Sequence, residues 1–400
     1  MNGARRSIAT TESPDGIAII GGGIAGMAAA AALARAGARV ELREQAQAIA
    51  EIGAGLQISP NGGAVLAGLG LGAAAEARGI RARAVEPRDA LSGRAIGRFD
   101  LDGRSGAPYR FFHRADLLDL LREGAERAGA RIITGARVES VTPDGRFEGG
   151  AARLVVGADG IHSVARAALD PDSRPFFTGQ VAWRALVRGE HPPVARIWMA
   201  PGRHVVSYPL PGGRVNVVAV RERRDWAGEG WHHRDDPASL RAAFADCAPE
   251  LRALIDRVET VHLWGLFRHP LAPRWHGPAL ALIGDAAHPT LPFLGQGANL
   301  ALEDAWVLAA LVAGAGGTDL PAALARYQAA RVARVRRALS AADANARNYH
   351  LAGPARRVAH LGLGAIARFA PGAFLGRLEW LYGHDVTQAF PQAKGQGGGP

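Results

Sequence analysis

The chain has 400 residues, 48% of them hydrophobic, which suffices for a large core spread over two or three units. Its formal charge of +10 would suit a nucleic-acid surface, but Lys394 is the only lysine and the arginines are scattered among alanine and glycine, so composition explains the charge and nucleic acid is excluded as a partner. No apolar run reaches the roughly 18 to 20 residues of a membrane span, the N-terminus lacks a signal-like apolar stretch, and Cys247, the only cysteine, has no internal disulfide partner; a cytoplasmic protein away from membranes is expected.

Residues 17–20 (IAII) read as a short buried strand, followed by GGGIAG and an alanine-rich helix over 27–36 that ends at Gly37. Gly21, Gly23 and Gly26, with Ala25 among them, stand as G-x-G-x-x-G between strand and helix, where they permit a tight turn and close approach of a pyrophosphate. A second strand over 39–42 leads to Glu44, placed where a carboxylate accepts the ribose hydroxyls of an adenosine. Residues 81–100 read as a hairpin about Ser92-Gly93. Arg114 opens a helix that continues over 116–128, in reach of a phosphate or ribityl group. A strand over 153–156 ends at Asp159-Gly160, the usual place for ligand contact in an open α/β sheet.

From about residue 179 to 276 the chain turns to short strands with Pro-Gly turns and one helical piece at 237–257, which suggests a mostly β unit inserted into the first. The nucleotide-binding pattern resumes with an apolar run at 280–283 and Asp285, a buried carboxylate whose donors the ribityl hydroxyls of a flavin would supply. Gly295, Gln296, Gly297 and Ala298 form a loop of small bulk leading to a helix near Asn299, whose positive end suits the anionic edge of a reduced flavin. Beyond Pro321 the chain is helical. The expected fold is α/β: a Rossmann-like FAD-binding domain (15–80, 101–172 and 280–320), an inserted mostly β substrate domain (81–100 and 173–279), a C-terminal helical region (321–390) and a disordered tail (391–400).

Taken together, GGGIAG with Glu44, HRADLL, GADGIHS and GDAAHPTLPFLGQGANLALED resemble the FAD-dependent aromatic hydroxylases of the para-hydroxybenzoate hydroxylase type. EIGAGLQISPN, PGRHVVSYPLPGG and WLYGHDV are most similar to the branch of salicylate and 3-hydroxybenzoate 6-hydroxylases. Arg153 departs from the pattern, which often has an acidic residue there. The resemblance implies FAD held by Glu44, Arg114 and Asp285, a DG motif at Asp159-Gly160 associated with both FAD and the nicotinamide donor, NADH or NADPH as a transient co-substrate, and O2 activated as a flavin C4a-hydroperoxide.

His204 and Tyr208 lie four residues apart on an apparent strand, so they face the same way with alpha carbons about 13 Å apart. The resemblance matches them, with Gln296, to a histidine, a tyrosine and a glutamine of the 3-hydroxybenzoate enzymes, which makes these three the catalytic candidates. Either His204 or Tyr208 would favour the phenolate of a small aromatic acid, and His204 has the pKa of a base at neutral pH. Gln57 and Pro292 are pocket candidates, His288 is read as architectural, and no cluster has metal-ligand spacing. Two rivals stay open: a hydroxylase of a ubiquinone-type precursor, and a non-hydroxylating flavoprotein on the same scaffold. The arginine-bearing segment 355–380 is expected to pack on the protein's own core, and a homodimer is left open.

Overall fold

The computed structural model describes residues 13–48, 54–102, 106–224, 234–314 and 319–392. Five parallel strands lie side by side in the order Leu280–Leu282, Gly150–Gly157, Ser13–Ile20, Val40–Arg43 and Arg131–Ile133, with the short Arg146–Phe147 paired antiparallel to Gly150–Gly157. Such strands are continuous apolar runs because a parallel sheet is covered on both faces, and Ile19, Leu154, Val155, Val156 and Leu280 are fully buried. Helix Ile24–Arg35 crosses this layer and packs on helix Gly297–Gly314. Its alanines keep the two helices close.

An eight-stranded sheet forms the second layer, in the order Arg234–Asp235, Val261–Arg268, Phe176–Arg188, Arg214–Glu222, Arg203–Leu210, Val194–Ala200, Ala84–Asp89 and Phe99–Asp100. Pairing is antiparallel except between Ala84–Asp89 and Val194–Ala200. The hairpin expected at 81–100 thus joins this sheet, with Phe99–Asp100 at its edge and Ala84–Asp89 next to it. Strand period sorts the side chains: Val181, Trp183, Ala185 and Val187 pack with Leu240, Phe244 and Leu251 from helices Pro237–Ala243 and Pro249–Asp256, while Ala182 and Arg184 face the other way. A small antiparallel sheet of Gly55–Ile58, Arg110–His113 and Ile80–Arg81 was not anticipated from the sequence.

Helix Leu320–Tyr349 runs for 30 residues, followed by helix Gly353–Phe369 and three short helices. The expectation that 355–380 packs on the core needs correction. Phe374 stacks on Phe99, with ring centroids 4.0 Å apart, but helix Gly353–Phe369 buries only His360 and leaves Val358, Leu361 and Phe369 exposed. The disordered tail expected at 391–400 falls, from residue 393 on, outside the described residues.

Helix Gly297–Gly314 begins two residues before the predicted start. Among the described residues it alone is long and apolar enough to cross a membrane, yet 72% of it is buried inside the protein. Glu303 and Asp304 sit in its middle, fully buried, where a carboxylate must be paired. Arg331 of the neighbouring long helix reaches Glu303 at 2.6 Å and Asp304 at 2.8 Å, and Arg334 donates two hydrogen bonds of 2.7 Å to Glu303. Burial raises both carboxyls, but Arg331 and Arg334 hold Glu303 below its ordinary range, and His288 with Arg331 holds Asp304 at about 2.

Arg331→Met would remove the cation shared by two buried carboxylates and is expected to cost about 3–5 kcal/mol, read from urea unfolding. A loss under about 1 kcal/mol would place the network outside the folding core.

Candidate active site

Three strand ends of the parallel sheet converge on one cleft. Strand Ser13–Ile20 ends in the glycine loop: Gly21 takes φ +102°, and a Cβ there would stand 2.5 Å from the Ala158 carbonyl oxygen. A Cβ on Gly26 would stand 1.9 Å from the Gly21 carbonyl oxygen, so this glycine serves tight packing. Gly23 differs, since a Cβ on it would meet nothing within 4 Å. It caps helix Ile24–Arg35 without any side-chain cap, so helix N–H groups point into open space, as an anion site requires.

Around that space lies a cavity of about 600 Å³ whose walls include Gly21, Gly23, Glu44, Arg114 and Asp285. Glu44 follows strand Val40–Arg43 and clamps the loop, accepting the Gly22 N–H at 2.6 Å and the Ala46 N–H at 2.8 Å. Asp285 follows strand Leu280–Leu282 in a short 3-10 turn. Its exposure is to the cavity, and enclosure by protein raises its carboxyl above the ordinary value while His288 and Arg114 oppose that shift. Arg114 heads helix Arg114–Arg127, with its own N–H donated to the Ala54 carbonyl at 2.9 Å. An uncapped helix end, a ribose-height carboxylate, an arginine and a second carboxylate fit the donor and acceptor pattern of a flavin dinucleotide.

A second cavity, about 310 Å³, shares Gly23, Arg114, Gly160, Arg184, Trp264 and Asp285 with the first. His204, Val206 and Tyr208 line it from alternate positions of strand Arg203–Leu210. Gln57, Pro292, Gln296, Gly297 and Ala298 close it from the opposite side, and Ala25 joins them. The predicted pocket residues therefore do come together, with the start of helix Gly297–Gly314 opening onto the cavity.

Electrostatics separate the two catalytic candidates. Burial pushes His204 well below 6.5, and neighbouring His350 adds to the effect. Burial drives the Tyr208 phenol well above 10, although Arg184 and hydrogen bonds with Gln57 and Asn216 oppose it. Near neutral pH the cavity thus presents a neutral imidazole able to accept a proton and a phenol that keeps its own. Tyr208 stacks on Phe111 at 4.9 Å, and Tyr109 donates to the Gln57 side chain at 2.6 Å.

Other sequence readings shift. The Gln296 amide is bonded within the wall, donating to Ser59 Oγ at 2.9 Å and accepting from Asn61 at 3.2 Å. Asn299 borders neither cavity; it ties the loop together by donating to the carbonyls of Gln57 and Gly295 and accepting the Ser59 N–H. Asp159 touches the larger cavity, but its carboxylate caps its own turn, accepting from Ser163 Oγ at 2.5 Å and the Ala165 N–H at 3.2 Å. Gly160, at φ +77°, borders both cavities. His288 is fully buried and bonded to Asp304, in keeping with an architectural role.

Sequence reasoning passed over Arg184 and Trp264, which form part of the wall between the cavities, with the guanidinium carbon 4.4 Å from the ring centroid. A lone arginine inside the apolar strand VAWRALV was the available signal. It also missed His350, whose Nε2 lies 2.8 Å from His204 Nδ1.

Residues 16–342 match the family described as an FAD binding domain. The chain is 40% identical over 393 residues to a 3-amino-4-hydroxybenzoate 2-monooxygenase of Streptomyces platensis, covering 93% of this chain and 96% of that one. It is 34% identical over 394 residues to a 3-hydroxybenzoate 6-hydroxylase of Polaromonas naphthalenivorans (strain CJ2), with coverages of 92% and 96%. Among solved structures, a salicylate hydroxylase substrate complex superposes with a TM-score of 0.80 at 25% identity, covering 96% and 98% of the two chains. Klebsiella pneumoniae HpxO complexed with FAD and uric acid gives 0.77 at 27% identity, covering 91% and 95%.

Seven histidines, at 113, 191, 204, 269, 350, 360 and 384, are held below 6.5 chiefly by burial. As pH falls through 6.5 the unfolded chain takes up protons that the folded chain refuses, so this contribution to stability is lost on acidification. Asp159 and Asp285, raised by burial, contribute with the opposite sign and are outnumbered. The urea midpoint is expected to be lower at about pH 5.5 than at about pH 7.5; equal midpoints would contradict this.

Proposed function

The chain belongs to the FAD-binding-domain family, and on that premise we propose that it is an FAD-dependent monooxygenase hydroxylating a small phenolic aromatic acid, with NADH or NADPH as electron donor and O2 as oxidant. One observation carries the reading: a single cavity at the cofactor loop combines a neutral histidine, a protonated tyrosine and an arginine. Those are the three recognition elements that a hydroxybenzoate needs, a base and a donor for its phenol and a cation for its carboxylate.

Gly23, Glu44, Arg114 and Asp285 would hold the cofactor, and the N-terminus at Gly297 would face the pyrimidine edge of its ring. FAD, when bound, would carry the nicotinamide's reducing equivalents to O2 and activate that oxygen for transfer. Arg184, braced on Trp264, would hold the substrate carboxylate. His204 would take the phenol proton and Tyr208 would donate to the resulting oxyanion, which makes the ring electron-rich enough to accept an electrophilic oxygen. Val206, Val218, Leu291 and Pro292 give the cavity apolar wall that keeps water from the reacting atoms. In this reading segments 15–80, 101–172 and 280–320 serve the cofactor, and 81–100 with 173–279 serve the substrate. The relatives named for 3-amino-4-hydroxybenzoate and 3-hydroxybenzoate support this substrate class. An arginine in a cavity of this size favours an acid over a lipid-tailed quinone precursor.

The test is NADH and NADPH oxidation by the FAD-loaded protein with 3-hydroxybenzoate, salicylate and 3-amino-4-hydroxybenzoate, with product and peroxide both quantified. At least one acid should accelerate oxidation and be hydroxylated; acceleration by none overturns the proposal. Arg184→Gln should raise KM by about tenfold or more, with a smaller change in kcat. His204→Ala should lower kcat by about 10²–10⁴ while FAD stays bound.

A further inference from the structure

A phenol ionised inside a closed cavity must send its proton somewhere, and the structure contains a path. We propose that His204, His350 and Glu222 form a proton relay connecting the buried substrate cavity to the protein surface. This inference rests on the function proposed above and adds His350 and Glu222, which none of its recognition elements use.

The geometry is continuous. His204 Nδ1 lies 2.8 Å from His350 Nε2, and His350 Nδ1 lies 2.9 Å from Glu222 Oε1. His204 and His350 are buried, whereas the Glu222 side chain is 57% exposed. Main-chain bonds hold the three in place: the Gly202 N–H donates to the His350 carbonyl at 3.1 Å, and the Glu222 N–H donates to the Gly202 carbonyl at 2.9 Å. His350 thus stays docked at the end of helix Leu320–Tyr349 against the turn between strands Val194–Ala200 and Arg203–Leu210.

Hydrogen-bond chemistry sets the direction. A carboxylate only accepts, so His350 Nδ1 carries the proton donated to Glu222. Neutral His350 then has a bare Nε2, which must accept from His204 Nδ1–H. Neutral His204 in turn has a bare Nε2, the nitrogen left for the cavity that the residue lines. An exposed carboxylate therefore dictates the tautomer of a buried base two residues away along the relay.

Proton transfer balances at each hop. The phenol O–H breaks as His204 Nε2–H forms; His204 Nδ1–H breaks as His350 Nε2–H forms; His350 Nδ1–H breaks as a Glu222 O–H forms, and that proton passes to water. No electrons are exchanged. When the hydroxylated ring becomes aromatic again and its oxyanion takes up a proton, the hops reverse and restore the starting tautomers. His350 and Glu222 touch no substrate; they act through His204 as positioning and proton-carrying residues. The groups facing His204 are His350 and Tyr349 from the long helix and the apolar Phe293 from the cofactor loop, and Glu222 faces His350.

The test uses the oxidised FAD-loaded enzyme, without turnover, mixed rapidly in buffer below the pKa of the free phenol with 4-hydroxy-3-nitrobenzoate, whose phenolate absorbs visible light. Wild type should form the phenolate quickly. Glu222→Gln, a change on the surface, should slow its appearance by about tenfold or more without weakening binding, and added imidazole buffer should restore the rate. Glu222→Asp should recover most of it, and His350→Gln should behave like Glu222→Gln. A purely structural role would show no buffer rescue. Rates in both Glu222→Gln and His350→Gln equal to wild type and indifferent to buffer overturn the relay alone. A wild-type enzyme that forms no phenolate from this compound under those conditions overturns the phenolic-acid reading as well.

Discussion

Two carboxylates in the middle of one buried helix organise this molecule. Glu303 and Asp304 cannot lie in an apolar interior unpaired, and each meets its requirement through residues that also build the site. Asp304 accepts from Arg331 with one oxygen, while the other accepts the Gly284 N–H at 3.0 Å and lies 2.5 Å from His288 Nε2. Gly284 and His288 bracket Asp285, so the carboxylate facing the cofactor cleft is positioned by one beneath it. Glu303 accepts from Arg331, Arg334 and Asn61, and Asn61 donates onward to Gln296. The cofactor loop and the substrate wall therefore hang from adjacent residues of a single helix turn.

This arrangement explains why Gln296 and Asn299 behave as they do. Their amides could address a ligand, but the loop from Gly295 to Ala298 has few internal hydrogen bonds of its own, and a helix start left unsupported would not present its N–H groups in a fixed direction. Asn299 binds two carbonyls and one N–H across the loop, and Gln296 links it to Ser59 and Asn61. The polar side chains use their bonds to fix the loop's shape, and the backbone at Gly297 and Ala298 opens onto the cavity.

The cofactor half of the site was legible in the sequence because its determinants are local. Gly21 and Gly26 are forced by contacts within the loop and with the adjoining strand, and Glu44 follows at the spacing of one strand-helix-strand unit. Arg184 was harder to see, although strand alternation with Trp183 places it on the face away from the helices once the strand is known. His350 and Glu222 carried no local signal. Their relation to His204 depends on the pairing that sets His204 opposite Val220, two residues before Glu222, and on where a 30-residue helix happens to end. Asp159 lines the larger cavity as its motif suggests, while its carboxylate also caps its own turn.

In the proposed reaction, the depressed basicity of His204 determines what the rest of the cavity must do. A phenol with a pKa of about 10 facing an imidazole below 6.5 transfers its proton uphill by more than about 3.5 units, or roughly 5 kcal/mol. His204 alone would leave the substrate protonated. Two features lower that cost. The Tyr208 hydroxyl would stabilise the oxyanion where it forms, and the Arg184 charge, lining the same cavity, would favour it at longer range. The path through His350 to an exposed carboxylate lets the proton equilibrate with solvent, so bulk pH rather than the weak buried base sets the final balance. A strongly basic histidine would be protonated before substrate arrived and would put a second cation on the wall of the cavity that Arg184 lines. A weak base with an exit avoids both problems, and burial, which weakens His204 as a base, is what keeps it ready.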